Sequence, residues 1–395
     1  MRFISRLERG KGLIGFLVLL TVCATLAGPV SAATVFQYKI LSVTKTAPGE
    51  RPVIAFSVTN PANGNQPYDI KTDPAFTQTA NGTSRLFIQI GWDTRDYNNT
   101  GSGSEFAPVG AGAALPIGIN ALSASAPLGG GVYQVTSSKP IPSGAKGSGV
   151  AAMEGHPAGI DSNGNYTVRV PVKSVYRYFP ITDSTAANRR QVVDVQKCKG
   201  CHGTLSTHGN NRTDEPLVCV VCHNPNATDI PYRRLGDGPE VPIDFKWMVH
   251  AIHAAEERKT PLVIIGRDHS INDFSHVVFP KSLRNCLNCH LDKTFELPLG
   301  ANVLGTTIST GSVLDAAGKV VNGDPADDMN ITPVAAVCSA CHDKAEDKAH
   351  MVRNGASFSA LQQWIDSGAV KEKCVNCHGP GKEKDIRKMH LGDDD

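Results

Sequence analysis

Residues 198–225 read Cys198-Lys199-Gly200-Cys201-His202-Gly203-Thr204-Leu205-Ser206-Thr207-His208-Gly209-Asn210-Asn211-Arg212-Thr213-Asp214-Glu215-Pro216-Leu217-Val218-Cys219-Val220-Val221-Cys222-His223-Asn224-Pro225. Twice here, two cysteines separated by two residues are followed at once by histidine. The same unit returns at Cys286-Leu287-Asn288-Cys289-His290, Cys338-Ser339-Ala340-Cys341-His342 and Cys374-Val375-Asn376-Cys377-His378. Of the eleven cysteines only Cys23 stands outside these five units, so no pair is left for a structural disulfide.

The spacing is that of covalent haem attachment. Two thiols three positions apart can reach both vinyl groups of one porphyrin as thioethers, and the histidine that follows lies under the ring as proximal iron ligand. Zinc also binds paired cysteines, but it does not require histidine directly after the second. Histidine fills 13 of 395 positions, so five such placements by accident have odds on the order of one in ten million. Thioredoxin-like redox pairs fail by the same count. The expected cofactor is five covalently bound haem c, held by Cys198, Cys201, Cys219, Cys222, Cys286, Cys289, Cys338, Cys341, Cys374 and Cys377, with His202, His223, His290, His342 and His378 on the irons.

A haem that does not bind substrate needs a second axial ligand. Outside the units lie His156, His208, His250, His253, His269, His276, His350 and His390. His250 and His253 sit three apart on an expected helix and share a face, while His208 and His350 follow the first and fourth units closely. His276 lies between apolar stretches. These five, His208, His250, His253, His276 and His350, are the expected distal ligands. His269 in a charged segment and His390 beside an acidic tail read as solvated, and His156 as part of a turn. Met248, Met351 and Met389 each adjoin a histidine and read as packing residues.

Working outward, the chain before residue 185 holds only His156 and, after the leader, no cysteine. Alternating segments recur there at Val35–Val43, Pro52–Thr59, Arg85–Trp92, Gly131–Thr136 and Tyr166–Tyr178, with turn residues between them. The expected fold is an N-terminal antiparallel β-sandwich or split barrel over residues 33–185, followed by a pentahaem cytochrome domain over 186–395. Gly101–Gly149 reads as long loops with one strand. Ala186–Gln196 is weakly helical. Beyond it regular structure is sparse, with helices expected at Phe245–Glu257 and Ser357–Ser367.

Arg2, Arg6, Arg9 and Lys11 precede an apolar run ending near Leu26, and Ser31-Ala32-Ala33 follows, so residues 1–32 read as a secretory signal peptide. The run is short for a spanning helix. Cys23 after Leu20-Thr21-Val22 leaves lipidation as the minor alternative. The chain carries 39 basic against 37 acidic residues, of which the leader holds four and one. The remainder is close to neutral, with no basic block to suggest nucleic acid.

The sequence resembles the outer-membrane multihaem cytochromes of the OmcA/MtrC type. The resemblance runs through Cys198–Pro225, Asp244-Phe245-Lys246, His250 and His253, Phe279-Pro280 with Ser282–Cys286, and Pro333–His342, with Glu154–Pro157 and Arg189–Asp194 upstream. It implies a β domain joined to a pentahaem domain with bis-histidine irons, in a single pair where larger members carry two. It also implies electron delivery to extracellular acceptors such as metal oxides, flavins or other cytochromes. Redox partner cytochromes or a porin-cytochrome complex would then stand beside it, at the outer-membrane surface or outside the cell rather than in the periplasm. An electron carrier is thus the first reading. An oxyanion reductase with one open haem, or a subunit of a conducting cytochrome filament, are the alternatives.

Overall fold

Val53-Ile54-Ala55-Phe56-Ser57-Val58 places Ile54, Phe56 and Val58 on one face of a strand, and all three are fully buried. Such alternation builds a half-buried antiparallel sheet. The computed structural model describes residues 35–97, 99, 115–315, 320, 321 and 326–391. The leader with Cys23, and residues 101–114 of the Gly-rich stretch, lie outside the described residues.

In chain order the first strands are β1 (Gln37–Thr44), β2 (Val53–Asn60), β3 (Gln66–Pro67), β4 (Arg85–Trp92), β5 (Ile117–Asn120), β6 (Ala126–Gly129), β7 (Val132–Thr136), β8 (Ser148–His156), β9 (Ala158–Ile160), β10 (Tyr166–Arg169) and β11 (Val175–Pro180). One antiparallel sheet has the order β1-β2-β7-β6, with β3 paired to β2, and a second the order β11-β8-β4-β5. Ile54, Phe56 and Val135 from the first meet Leu86, Ile88, Ile90 and Met153 from the second in a single apolar core. Each such side chain contributes roughly 1.5–3 kcal/mol on burial. The two one-turn helices α1 (Pro74–Thr77) and α2 (Ala121–Ala124) add Phe76 and Leu122 to that core.

Strand β8 differs from the rest in being buried along its whole length. Ala151 and Met153 face the sheet core, whereas Val150 and Ala152 join Tyr97, Val218 and the two valines of the second cysteine unit, Val220 and Val221, in a separate cluster. Both faces of β8 are therefore covered. Its last residue but one is Gly155, whose φ is +139°, and a Cβ there would stand 2.2 Å from the Arg85 carbonyl oxygen. Gly155→Ala is expected to destabilise by about 1–3 kcal/mol, read as a lower denaturation midpoint.

Two expectations are revised here. The segment Tyr166–Tyr178 is not one strand: it divides into β10 and β11, because Pro171 cannot donate to a ladder. Within Gly101–Gly149 the described part holds β5, β6, β7 and the start of β8 instead of one strand.

From residue 195 the helices are short: α3 (Val195–His202), α4 (Pro216–Cys222), α5 (Phe245–His253), α6 (Pro333–Ser339), α7 (Ala345–Arg353), α8 (Gln362–Asp366), α9 (Val375–His378) and α10 (Ile386–Leu391). Isolated helices of this length do not hold in water, so tertiary packing must fix them. Small hairpins lie between them, including β12 (Ser206–Thr207) with β13 (Arg212–Thr213) and β14 (Val263–Gly266) with β15 (Ser270–Asp273). α5 stops four residues before the expected end, and Ser357–Ser367 yields only α8 after a two-residue strand. Residues 186–194 are not helical, because Val193 bridges to His290 and Asp194 caps α3. Among the described residues no helix is long and apolar enough to cross a membrane.

Candidate haem-ligating site

Each cysteine unit folds as one helical turn. His223, His290, His342 and His378 donate their backbone N–H to the carbonyl of the first cysteine of their own unit, at 2.9, 2.9, 2.8 and 2.9 Å. The first unit lies within α3. A turn of this kind puts the first cysteine and the histidine on one face, which is where a porphyrin joined at its edge would lie. Burial pushes the Cys219, Cys222 and Cys338 thiols up to about 12, so they remain protonated and are poor thiolate ligands. Among the described residues no group of three or more His, Cys or carboxylates is arranged to hold a metal ion alone.

Every unit histidine faces a second histidine from elsewhere in the chain. Ring centres are 6.1 Å apart for His202 and His253, 6.0 Å for His223 and His208, and 5.9 Å for His290 and His250. They are 6.2 Å apart for His342 and His390, and for His378 and His350. Iron–nitrogen bonds of about 2 Å on either side, with about 1 Å from nitrogen to ring centre, would put two axial imidazoles roughly 6 Å apart. The spacing thus fits an iron between each pair.

The tautomers fit as well. Nδ1 of His223, His250, His253, His378 and His390 lies 2.8, 2.6, 2.8, 3.0 and 3.1 Å from the carbonyls of Ile243, Lys246, Val249, Lys384 and Ile386. A nitrogen that donates to a carbonyl fixes the proton there and leaves Nε2 with a free lone pair. Desolvation lowers His223, His250 and His390 from the ordinary imidazole range, and takes His290 down to about 4. The neutral, ligating form is favoured at each.

Four of the five expected distal histidines, His208, His250, His253 and His350, stand in these pairs. His276 is exposed and, among the described residues, forms no ring pair with a unit histidine. His390 takes the fifth place, opposite His342. Its signal in the sequence is weak: it back-bonds to residue i−4 as His250 and His253 do, but beside an acidic tail. His269 bonds Asp237 at 2.9 Å. His156 lies in β8, not a turn, fully buried with Nδ1 2.8 Å from the Thr83 carbonyl. Met351 is buried and Met248 packs beside it in an apolar cluster, while Met389 is exposed.

The units interlock. The first is stitched to the third: Leu291 donates to the Val192 carbonyl at 3.0 Å, and Asp194 to that of Cys289 at 3.0 Å. Glu372, two residues before the fifth unit, accepts from Val334 and Ala335 at the start of α6, so the fourth and fifth are tied. Arg387 on α10 bonds Glu296 at 2.8 Å, just beyond the third. The second unit is fastened to the sheets instead. There the Asn99 amide donates to the Val221 carbonyl at 2.8 Å, and Arg212 pairs with the buried Glu154.

Repeated Cys-x-x-Cys-His turns, each opposed by a second imidazole, are those of a multihaem cytochrome of the c type. Residues 190–391, just over half the chain, match the family of outer membrane cytochromes described as MtrC/MtrF-like, domains II/IV, and the protein belongs to that family. The fold is similar to that of MtrC from Shewanella baltica OS185, with a TM-score of 0.52 and 15% identity over 88% of this chain and 52% of that one. The outer membrane decaheme cytochrome OmcA aligns at a TM-score of 0.46 and 18% identity, over 90% of this chain and 49% of that one. The chain therefore spans about half the length of these structures. No curated protein sequence matches it.

Proposed function

We propose that the protein is an electron conduit holding five haem c groups, each between two histidines: His202 and His253, His223 and His208, His290 and His250, His342 and His390, His378 and His350. The observation that carries this reading is the set of five ring pairs near 6 Å. Each haem, when bound, supplies an iron that takes up and gives back one electron. With both axial positions filled by the chain, no iron is left open for an oxyanion, which favours conduction over a reductase.

The links between units suggest the path. First, third, fourth and fifth form a row, and the second stands at the side of the β sheets. In this reading residues 33–185 are a haem-free β domain of the sandwich or split-barrel kind, and 186–395 the pentahaem domain. Residues 1–32 direct export, and electrons pass at the outer-membrane surface between partner cytochromes, or a porin-cytochrome complex, and extracellular acceptors such as metal oxides and flavins.

Intact mass tests the haem count, and it should also show a mature start near Ala33 without lipid on Cys23. Electron paramagnetic resonance tests the pairing, because the ring planes differ. They are inclined at 22° and 4° in the pairs of His208 and His250, but at 80°, 76° and 89° in those of His253, His390 and His350. Near-parallel imidazoles give rhombic low-spin signals and near-perpendicular ones strongly anisotropic signals. Two of the first kind and three of the second are expected. Fewer than five haems in matured protein, or a stoichiometric high-spin signal, would overturn the assignment.

A further inference from the structure

We infer that Thr294 is a positioning residue for the third iron, whose hydroxyl holds the His290 ring parallel to that of His250 and makes His290 the more electron-rich ligand; this rests on the pairing proposed above. Thr294 Oγ1 donates to the Val192 carbonyl at 2.6 Å, and His290 Nδ1 lies 3.3 Å from the same hydroxyl oxygen. A threonine hydroxyl has one proton to give. With that proton on Val192, the bond to His290 can run only one way, from Nδ1–H to Oγ1. The imidazole proton is thereby fixed on Nδ1, and Nε2 keeps its lone pair for iron.

Among the described residues the third pair differs from the other four in having both rings held. His250 gives its Nδ1 proton to the Lys246 carbonyl at 2.6 Å, and His290 gives its own to Thr294. In each of the other pairs one ring is bonded through Nδ1, that of His253, His223, His390 or His378, and the facing ring shows no such bond. Rotation about an iron–nitrogen bond is soft, so a bonded Nδ1 sets the plane of its ring. The third pair is also the most nearly parallel of the five, at 4°. Phe295 adds a second stop, 5.9 Å from His290 at 78°, and is itself covered by the Arg387 guanidinium at 5.3 Å. The hydroxyl has a firm anchor. The Val192 carbonyl also accepts from the Leu291 N–H at 3.0 Å, beside the bridge of Val193 to His290, and Lys197 Nζ donates to the His290 carbonyl at 2.5 Å. The plane of this ligand is therefore set against the segment that leads into the first unit. Donation from Nδ1 enriches the imidazole and favours ferric iron.

The test uses the full haem-loaded protein. Thr294→Val removes the hydroxyl and keeps the shape. Because Thr294 is exposed, water takes over part of the bond and the change is modest: at the parent's midpoint potential the ratio of ferric to ferrous third haem should fall about threefold. The rhombic low-spin signal of that haem should move toward greater anisotropy, with the other four unchanged. His250→Ala identifies the signal, being the one it removes. Thr294→Ser should restore both the signal and the midpoint, and Thr294→Ala should behave as the Val variant does. An unchanged signal and midpoint in the Val and Ala variants would refute the role, as would a Ser variant no better than Val. Loss of a haem, or equal shifts at all five irons, would show a general part in folding and overturn it equally. If the parent gives no near-parallel signal, the histidine pairing itself fails and takes this inference with it.

Discussion

In the His390→Ala protein one iron is expected to become high spin and to bind carbon monoxide when reduced, with thioether attachment intact and four irons unchanged. The reason is local. His390 is the imidazole opposite His342, and its Nδ1 is engaged by the Ile386 carbonyl, so Nε2 alone is offered. Alanine leaves that coordination position to solvent or to an added ligand. The paired experiment is His276→Ala, which should bind no carbon monoxide, because His276 is exposed and opposes no unit histidine. Carbon monoxide binding by the His276 variant and not the His390 variant would reverse the assignment of the fourth haem.

The second large effect is expected at Glu154. Its side chain is 3% exposed and accepts from both ends of the Arg212 fork, at 2.6 and 2.5 Å, and from Gln89 at 3.1 Å. Glu154→Ala leaves a half-buried guanidinium without its counter-charge. A fully buried pair broken in this way costs about 3–5 kcal/mol; Arg212 keeps some solvent contact, so about 2–3 kcal/mol is expected. Because Arg212 lies on the β12–β13 hairpin whose turn carries His208, the loss should also free that ligand part of the time. Denaturant unfolding followed at the haem absorbance should show a lower midpoint, with a high-spin fraction confined to one iron. A midpoint equal to that of the parent would mean that the ion pair does not hold the hairpin.

What the sequence reveals divides along physical lines. The cysteine units are legible because covalent chemistry fixes their spacing whatever the surrounding fold. β2 and the first half of β4 are legible because one face is less covered: Ile54, Phe56 and Val58, then Leu86 and Ile88, alternate with less buried residues and meet the same core. β8 is not legible, because it is covered on both faces by small residues and the alternation signal disappears. The short helices from α3 onward carry little periodicity, since tertiary packing supplies what propensity does not. The pairing of histidines is a tertiary fact. His250 and His253 announce themselves by their spacing, but only the fold reveals that His253 meets the first unit and His250 the third. His390 is hidden by Asp393-Asp394-Asp395, which invites a solvated reading.

The placing of His250 and His253 on α5 has a mechanical consequence. Three residues along a helix correspond to a rise of about 4.5 Å, and this rise is held by the backbone hydrogen bonds of a capped, partly buried helix. In the proposed assignment the first and third haems therefore hang from a single stiff strut. Thermal breathing of the loops can vary the gaps between the other haems, but these two move as one body. The tunnelling distance between them is set by helical geometry, so it should be the best-damped step in the row and keep its length as temperature or partner changes.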